Sequence, residues 1–114
     1  MSTKYDVSVV VINYNSKKYI DNLFESLVRL KHSDFTFQVV VVDNASSDDS
    51  VEYLESRHFD RDIDLKIVKS ETNRGFAGGN NFGVQHSDGE YIVFLNNDTA
   101  VDEMWLETLY HFIR

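Results

Sequence analysis

Val7-Ser8-Val9-Val10-Val11-Ile12 and Phe37-Gln38-Val39-Val40-Val41-Val42 are almost unbroken runs of β-branched, apolar residues. A strand with one wet face alternates polar and apolar positions. A run without that alternation is a strand covered on both faces, the signature of a parallel sheet flanked by helices. Each run is followed by a helical pattern. After the first, Ile20, Leu23, Phe24, Leu27 and Leu30 recur at three- and four-residue steps, with Ser16 placed as the cap. After the second, Ser46 and Asp49 have the spacing of a capping box, and Val51, Tyr53 and Leu54 turn the next helix inward.

The pattern continues to the end of the chain. Asp60-Arg61-Asp62-Ile63-Asp64 is a charged, solvated connection, and Leu65-Lys66-Ile67-Val68 a half-polar strand near a sheet edge. Asn73 to Gly83 is rich in glycine and asparagine, Ser87-Asp88-Gly89 is a turn, and Tyr91-Ile92-Val93-Phe94-Leu95 is a fourth buried strand. Asp102 to Arg114 reads as a helix with Trp105, Leu106, Leu109, Phe112 and Ile113 on one broad face. Strands alternating with helices predict an α/β fold in three layers, a mainly parallel sheet with helices on both faces. With 114 residues and no linker or repeat, residues 1–114 form a single domain.

Composition removes several classes of function. The chain has no cysteine, which excludes disulfide scaffolds, thiolate metal sites and cysteine nucleophiles, and fits a reducing compartment. Its net charge of -8, with no basic tract, excludes nucleic acid as a partner, because phosphate contacts dominate that affinity. Val9 to Ile12 and Val39 to Val42 are the longest apolar runs, too short to span a bilayer, and the N-terminus lacks the apolar stretch of a signal peptide.

Ligands of open parallel sheets bind beyond the carboxyl ends of the strands. Polar residues collect at those ends: Asn13-Tyr14-Asn15 after the first strand, Asp43-Asn44 after the second, and Asn96-Asn97-Asp98-Thr99 after the fourth. Taken singly, each cluster reads equally well as a cap or turn; three converging clusters read as a site. Gly75, Gly78, Gly79 and Gly83 fit neither the dinucleotide fingerprint nor a P-loop. A phosphate-accepting role for Asp43 lacks the acidic pair that such a site needs after the first strand. The glycine stretch has two open readings, a close backbone approach to a ligand or close packing of a helix on the sheet. The four histidines form no metal-spaced set.

Four blocks occur in order: Val9-Val10-Val11-Ile12-Asn13-Tyr14-Asn15, Val41-Val42-Asp43-Asn44-Ala45-Ser46-Ser47-Asp48, Asn73-Arg74-Gly75-Phe76-Ala77-Gly78-Gly79-Asn80-Asn81-Phe82-Gly83, and Phe94-Leu95-Asn96-Asn97-Asp98-Thr99. Together they resemble a family-2 glycosyltransferase of the GT-A, nucleotide-diphospho-sugar transferase fold, nearest its rhamnosyltransferase-like branch. The resemblance covers nearly the whole chain. It implies inverting transfer of a sugar from a UDP- or dTDP-sugar donor to the hydroxyl of a saccharide or lipid-linked saccharide, in cell-surface polysaccharide synthesis, with a divalent cation, Mg or Mn. It places the activity in the cytoplasm and leaves peripheral association of the full-length enzyme with the inner membrane face open.

Residue by residue, the resemblance makes Asp43 the acceptor for the N3–H of uracil or thymine, chemistry that suits a pure acceptor. It packs Tyr14 against the base and makes Asp98 the metal carboxylate, bridging a hard cation to the diphosphate. Asn13, Asn15, Asn44, Arg74, Gly75, Asn80 and Asn97 complete the nucleotide-binding set. Three positions depart from the common pattern: Asn96 stands at the first position of D-x-D, Asn44 where a second Asp is frequent, and Asn80 where many members carry Arg. Arg74 supplies phosphate charge on one reading and is a solvated loop cation on the other. The family's acceptor-binding half and general base follow the D-x-D segment, and none of Asp102, Glu103 and Glu107 matches that base. The chain is therefore expected to act as a truncated, donor-binding half, inactive alone and self-associating. Its alternative is a non-catalytic nucleotide-binding or α/β interaction module.

Overall fold

The structure is a computed structural model that describes residues 4–57 and 63–114. Four strands, β1 (Tyr5–Asn13), β2 (Phe37–Asn44), β3 (Leu65–Ser70) and β4 (Gly89–Leu95), alternate with α1 (Lys17–Leu27), α2 (Ser50–Ser56), α3 (Gly75–Gln85) and α4 (Trp105–Ile113). All neighbouring strands are parallel and the order is β3-β2-β1-β4. The unbroken runs are the two central strands, as expected for strands covered on both faces. The half-polar third run is an edge strand. Of the charged connection, residues 60–62 lie outside the described residues.

Alternation along the strands sends successive side chains to opposite faces. Val7, Val9, Val11, Val39 and Val41 meet Ile20, Leu23, Phe24 and Leu27 of α1, Leu54 of α2 and Leu106 of α4. Val10, Val40, Val42 and Val68 form a smaller cluster on the other face with Ile12, Phe82 and Ile92. Helices thus cover both faces, and α3 stands alone on its side. The reason lies in the path: α1 and α2 carry the chain one way across the sheet, while α3 carries it back to β4, and a right-handed crossover in the reverse direction lands on the opposite face.

Gly79 and Gly83 let α3 lie close. A methyl group at Gly83 would sit 2.6 Å from Val10 Cγ1, and one at Gly79 3.0 Å from Ile12 Cδ1 and from Asn44 Nδ2. The packing reading of the glycine stretch holds at these two positions; Gly78 faces only the Cβ of Arg74.

Several expectations need correction. β4 is an edge among the described strands and only half-buried, with Phe94 exposed, because α3 lies over β1 and β2 and leaves its face bare. In α4, Leu106 is buried and Trp105 packs on the core, but Phe112 is 85% exposed and Ile113 is also exposed. α1 ends at Leu27, and Leu30 is buried from the turn that follows. Neither predicted cap forms through its side chain. Ser16 donates to the carbonyl of Tyr14, and Ser46 turns back to Asp43. Both hydroxyls donate to a nearby oxygen, and neither accepts a helix N–H.

Candidate functional site

The register pairs Asn13, the last residue of β1, with Asp43, the last residue of β2 to face α1 and α2, so the two stand side by side on that face. Asn13 Nδ2 donates to Asp43 Oδ1 at 2.9 Å and to Ser50 Oγ at 2.8 Å. Asp43 also accepts from Ser46 Oγ on Oδ1 (2.6 Å) and from the Ser46 N–H on Oδ2 (3.0 Å). It is 4% exposed, and one lone-pair position on Oδ2 stays open after these three bonds. Asn13 is fully buried, and its Oδ1 has no partner among the described residues.

Asn15 closes the same assembly from above. Held at a positive φ of 49°, it accepts the N–H groups of Ser47 (2.7 Å) and Asp48 (3.2 Å) on Oδ1, while its own N–H donates to Ser46 Oγ. Ala45, at φ 63°, completes the turn in a conformation that costs a non-glycine residue about 1–2 kcal/mol, offset here by the surrounding bonds. Asn13, Asn15 and Asp43 thus lock the loops after β1 and β2 to one another.

Asp48 does the capping expected of Ser16 and Ser46. Its Oδ2 accepts the N–H of Lys17, the first residue of α1, at 3.2 Å, and its Oδ1 accepts the N–H of Ser50, the first of α2, at 3.1 Å, together with the Ser50 hydroxyl. Partial burial pushes the Asp48 carboxyl up, but the bonds from Ser50 and Lys17 outweigh it and leave the group below its usual value. A lowered folded-state value means a contribution present above the ordinary carboxylate range and lost as pH falls through the lowered value. Asp48→Ala is therefore expected to cost about 1–2 kcal/mol at neutral pH. Urea denaturation of both proteins should show the gap closing as the medium turns acidic. A gap that stays constant down to pH 2 would show that the carboxylate charge is not what holds the two helices.

Asn44, one residue on, points to the opposite face and grips α3. Its Nδ2 donates to the carbonyl of Gly75 (3.2 Å), and its Oδ1 accepts the Arg74 N–H (3.4 Å). Gly75 has φ +72°, a left-handed turn that starts the helix, and its N–H is held by Asn73 Oδ1. On the other side of β1, Asn97 Nδ2 donates to the carbonyl of Ile12 at 3.0 Å, fixing the loop after β4.

Between these loops lies a cavity of about 300 Å³ lined by Ile12, Tyr14, Ser16, Phe76, Leu95, Asn96, Asn97 and Asp98. It sits where β1 and β4 part, the point at which the direction of chain progression across the sheet reverses, and there open α/β sheets bind ligands. Tyr14 and Phe76 are 47% and 65% exposed. Asp98 is exposed, makes no hydrogen bond or ion pair among the described residues, and is the one charged wall residue. With the amide oxygens of Asn96 and Asn97 beside it, the available ligand atoms are hard oxygens, a set that suits Mg or Mn.

Of the expected site residues, Tyr14, Asn97 and Asp98 line this cavity. Asn13, Asn15, Asp43, Asn44 and Gly75 are not wall residues; they brace the loops that carry the walls. Asn80 is not a wall residue. Arg74 is turned aside: its Nε donates to Ser70 Oγ at 2.9 Å and its guanidinium lies 4.1 Å over the Phe82 ring, so it brings no charge to the cavity. The reading of the sequence missed Phe76 and Ser16. The signal for Phe76 was present, since positions 76, 79 and 83 share one helical face.

At the other end of the sheet, His111 Nε2 lies 3.2 Å from Asp34 Oδ1, and Ser33 donates twice to Glu107 Oε1, which holds the Glu107 carboxyl below its usual range. Possible ligand atoms of Asp34, Glu107 and His111 come within 4.8 Å of one another, and no second histidine joins them among the described residues. The cluster ties α4 to the segment ahead of β2, far from Asp98. His58 lies outside the described residues.

The Glycosyl transferase family 2 domain profile matches residues 8–114. The chain belongs to glycosyl transferase family 2. It is 34% identical over 107 residues to the poly(ribitol-phosphate) β-N-acetylglucosaminyltransferase TarS of Staphylococcus aureus, covering 93% of this chain and 18% of that one. The glycosyltransferase GlyG of Streptococcus pneumoniae is 32% identical over 108 residues, 95% of this chain and 35% of its own. This family 2 chain superposes on the crystal structure of TarS residues 1–349 in complex with UDP-GlcNAc with a TM-score of 0.85 at 32% identity, covering 95% of this chain and 31% of that one. The fold is GT-A. It is shared with the mannosyltransferase PcManGT of Pyrobaculum calidifontis, solved with GDP-Man and Mn2+, at a TM-score of 0.86 and 24% identity. This family 2 chain spans 18% to 35% of the length of TarS and GlyG. Among its described residues, no helix is long and apolar enough to cross a membrane.

Proposed function

We propose that these residues form the donor-binding part of an inverting glycosyltransferase that takes a sugar from a UDP- or dTDP-sugar. The acceptor is a saccharide or lipid-linked hydroxyl at the cytoplasmic face of a membrane, in cell-surface polysaccharide synthesis, as in the rhamnosyltransferase-like branch. The observation that carries this reading is the cavity at the β1–β4 parting, where Tyr14, Asn97 and an unpaired Asp98 share one wall. The UDP-GlcNAc complex of TarS, on the same fold, supports the donor class. The base lies at the β1 side against Tyr14, and the open lone pair of Asp43 Oδ2 accepts its N3–H. The diphosphate lies toward Asp98. A bound divalent cation supplies charge neutralisation for the diphosphate as it becomes a leaving group. Asp98, the one charged residue among the described walls, would hold that cation. Phe94 and Phe112, both open to solvent, support self-association of the polypeptide.

Titration calorimetry with UDP, dTDP and CDP, each with Mn, with Mg and with chelator, tests the reading. UDP or dTDP is expected to bind, and CDP about tenfold or more weakly, because its N3 is an acceptor facing an acceptor. Asp98→Ala is expected to remove the metal-dependent part of binding and leave the unfolding midpoint unchanged. Equal affinity for UDP and CDP would take Asp43 out of base reading. Binding that ignores chelator would take Asp98 out of metal binding.

A further inference from the structure

The sheet-facing stripe of α3 runs past the end of the sheet. Gly83 lies against Val10 and Val42, and Gly79, one turn earlier, against Ile12 and Asn44 near the ends of β1 and β2. The next residue on that stripe is Phe76, about 4.5 Å further along the axis. A helical side chain leans toward the N-terminus, so the Phe76 ring projects further still, beyond the strands. Gly79 and Gly83 hold the positions of closest approach to the sheet, with Phe82 packing beside them, and Phe76 stands where the sheet has ended. The placement is built: Gly75 takes the left-handed turn that opens the helix, and Asn44 and Asn73 hold that turn by hydrogen bonds. An aromatic ring left 65% exposed in the wall of a cavity that a second exposed ring, Tyr14, also lines has hydrophobic burial still to gain.

We infer that Phe76 is a binding residue for the planar base of the donor nucleotide, covering it from the α3 side while Tyr14 packs from the β1 side. This rests on the reading of the cavity as a nucleotide-sugar site. The base is favoured over the sugar because α3 overhangs the β1 and β2 ends, whereas Asp98, which takes the diphosphate, comes from the β4 side. Stacking on an aromatic ring accepts any planar base, so Phe76 sets affinity and leaves the choice of base to hydrogen bonding.

The test compares the wild-type chain, Phe76→Ala and Phe76→Tyr by calorimetry with two probes, UDP and inorganic pyrophosphate, each with Mn. Phe76→Ala is expected to weaken UDP about tenfold and leave pyrophosphate unchanged, and Phe76→Tyr is expected to restore UDP binding. Because the side chain is mostly exposed, the unfolding midpoint of Phe76→Ala should match the wild type. Equal weakening of UDP and pyrophosphate overturns the stacking role. So does a Phe76→Ala chain that binds UDP as tightly as the wild type. A wild-type chain that binds neither probe overturns the proposed function itself, an outcome distinct from both.

Discussion

Asp43→Ala is expected to destabilise the protein by about 2–5 kcal/mol, read as a lower urea midpoint, before any nucleotide is added. The carboxylate takes Asn13 Nδ2, the Ser46 N–H and the Ser46 hydroxyl, all at 3.0 Å or less. A hydroxyl can rotate to another acceptor. The Asn13 amide keeps Ser50 Oγ and only a long contact to Ser46 Oγ at 3.4 Å, the Ser46 N–H loses its acceptor, and each under-satisfied group costs about 1–3 kcal/mol. Against a total stability of roughly 5–15 kcal/mol this is a large share. Asp43→Asn keeps one acceptor oxygen and should lose less. An Asp43→Ala protein that unfolds at the wild-type midpoint would mean that the loops after β1 and β2 are held elsewhere, by Asn15 and Asp48. Lost nucleotide binding in an Asp43 variant therefore cannot by itself identify a base contact, which is why the base test changes the ligand and keeps the protein.

The two central strands were legible because burial on both faces leaves no polar position in a run, and Val9-Val10-Val11-Ile12 and Val39-Val40-Val41-Val42 have none. The converging polar ends were legible for the same reason: Asn13, Asp43 and Asn97 are the first polar residues or nearly so after such runs. Their division of labour was not. Whether a strand-end side chain lines a cavity or braces a loop depends on which face the pleat gives it. Asp43 and Asn44 differ by one residue and serve opposite faces. The caps failed for a related reason. A capping pattern in sequence assumes that the serine finds its own helix, but Ser46 lies 2.6 Å from a carboxylate, and Asp48 caps both α2, two residues on, and α1, 31 residues back. The burial of β4 depended on how far α3 reaches across the sheet, which no local pattern encodes.

The 114-residue polypeptide is expected to bind donor nucleotide yet transfer no sugar. Transfer to a hydroxyl needs a base to take its proton, help typically worth about 10²–10⁴-fold in rate. Asp98 is the one carboxylate in the cavity wall, and the proposed function commits it to the cation. The three acids that follow are engaged elsewhere or face away. Asp102 Oδ1 accepts the Met104 N–H at 2.8 Å in the turn before α4, Glu103 is exposed beside the backbone contact between its carbonyl and Lys31, and Glu107 is held by Ser33 near the start of β2. None can meet a hydroxyl at the cavity. Holding an acceptor in line with the donor contributes more again, and the proposed function gives this cavity to the donor. The relatives place the matched residues within chains of which they form 18% to 35%, room for the groups that would do this work. Mixing the purified polypeptide with UDP-sugars, Mn and saccharide acceptors should release UDP no faster than a protein-free control. Transfer well above that control would sink the argument, and its loss in Asp102→Ala or Glu103→Ala would relocate the base to the entry of α4.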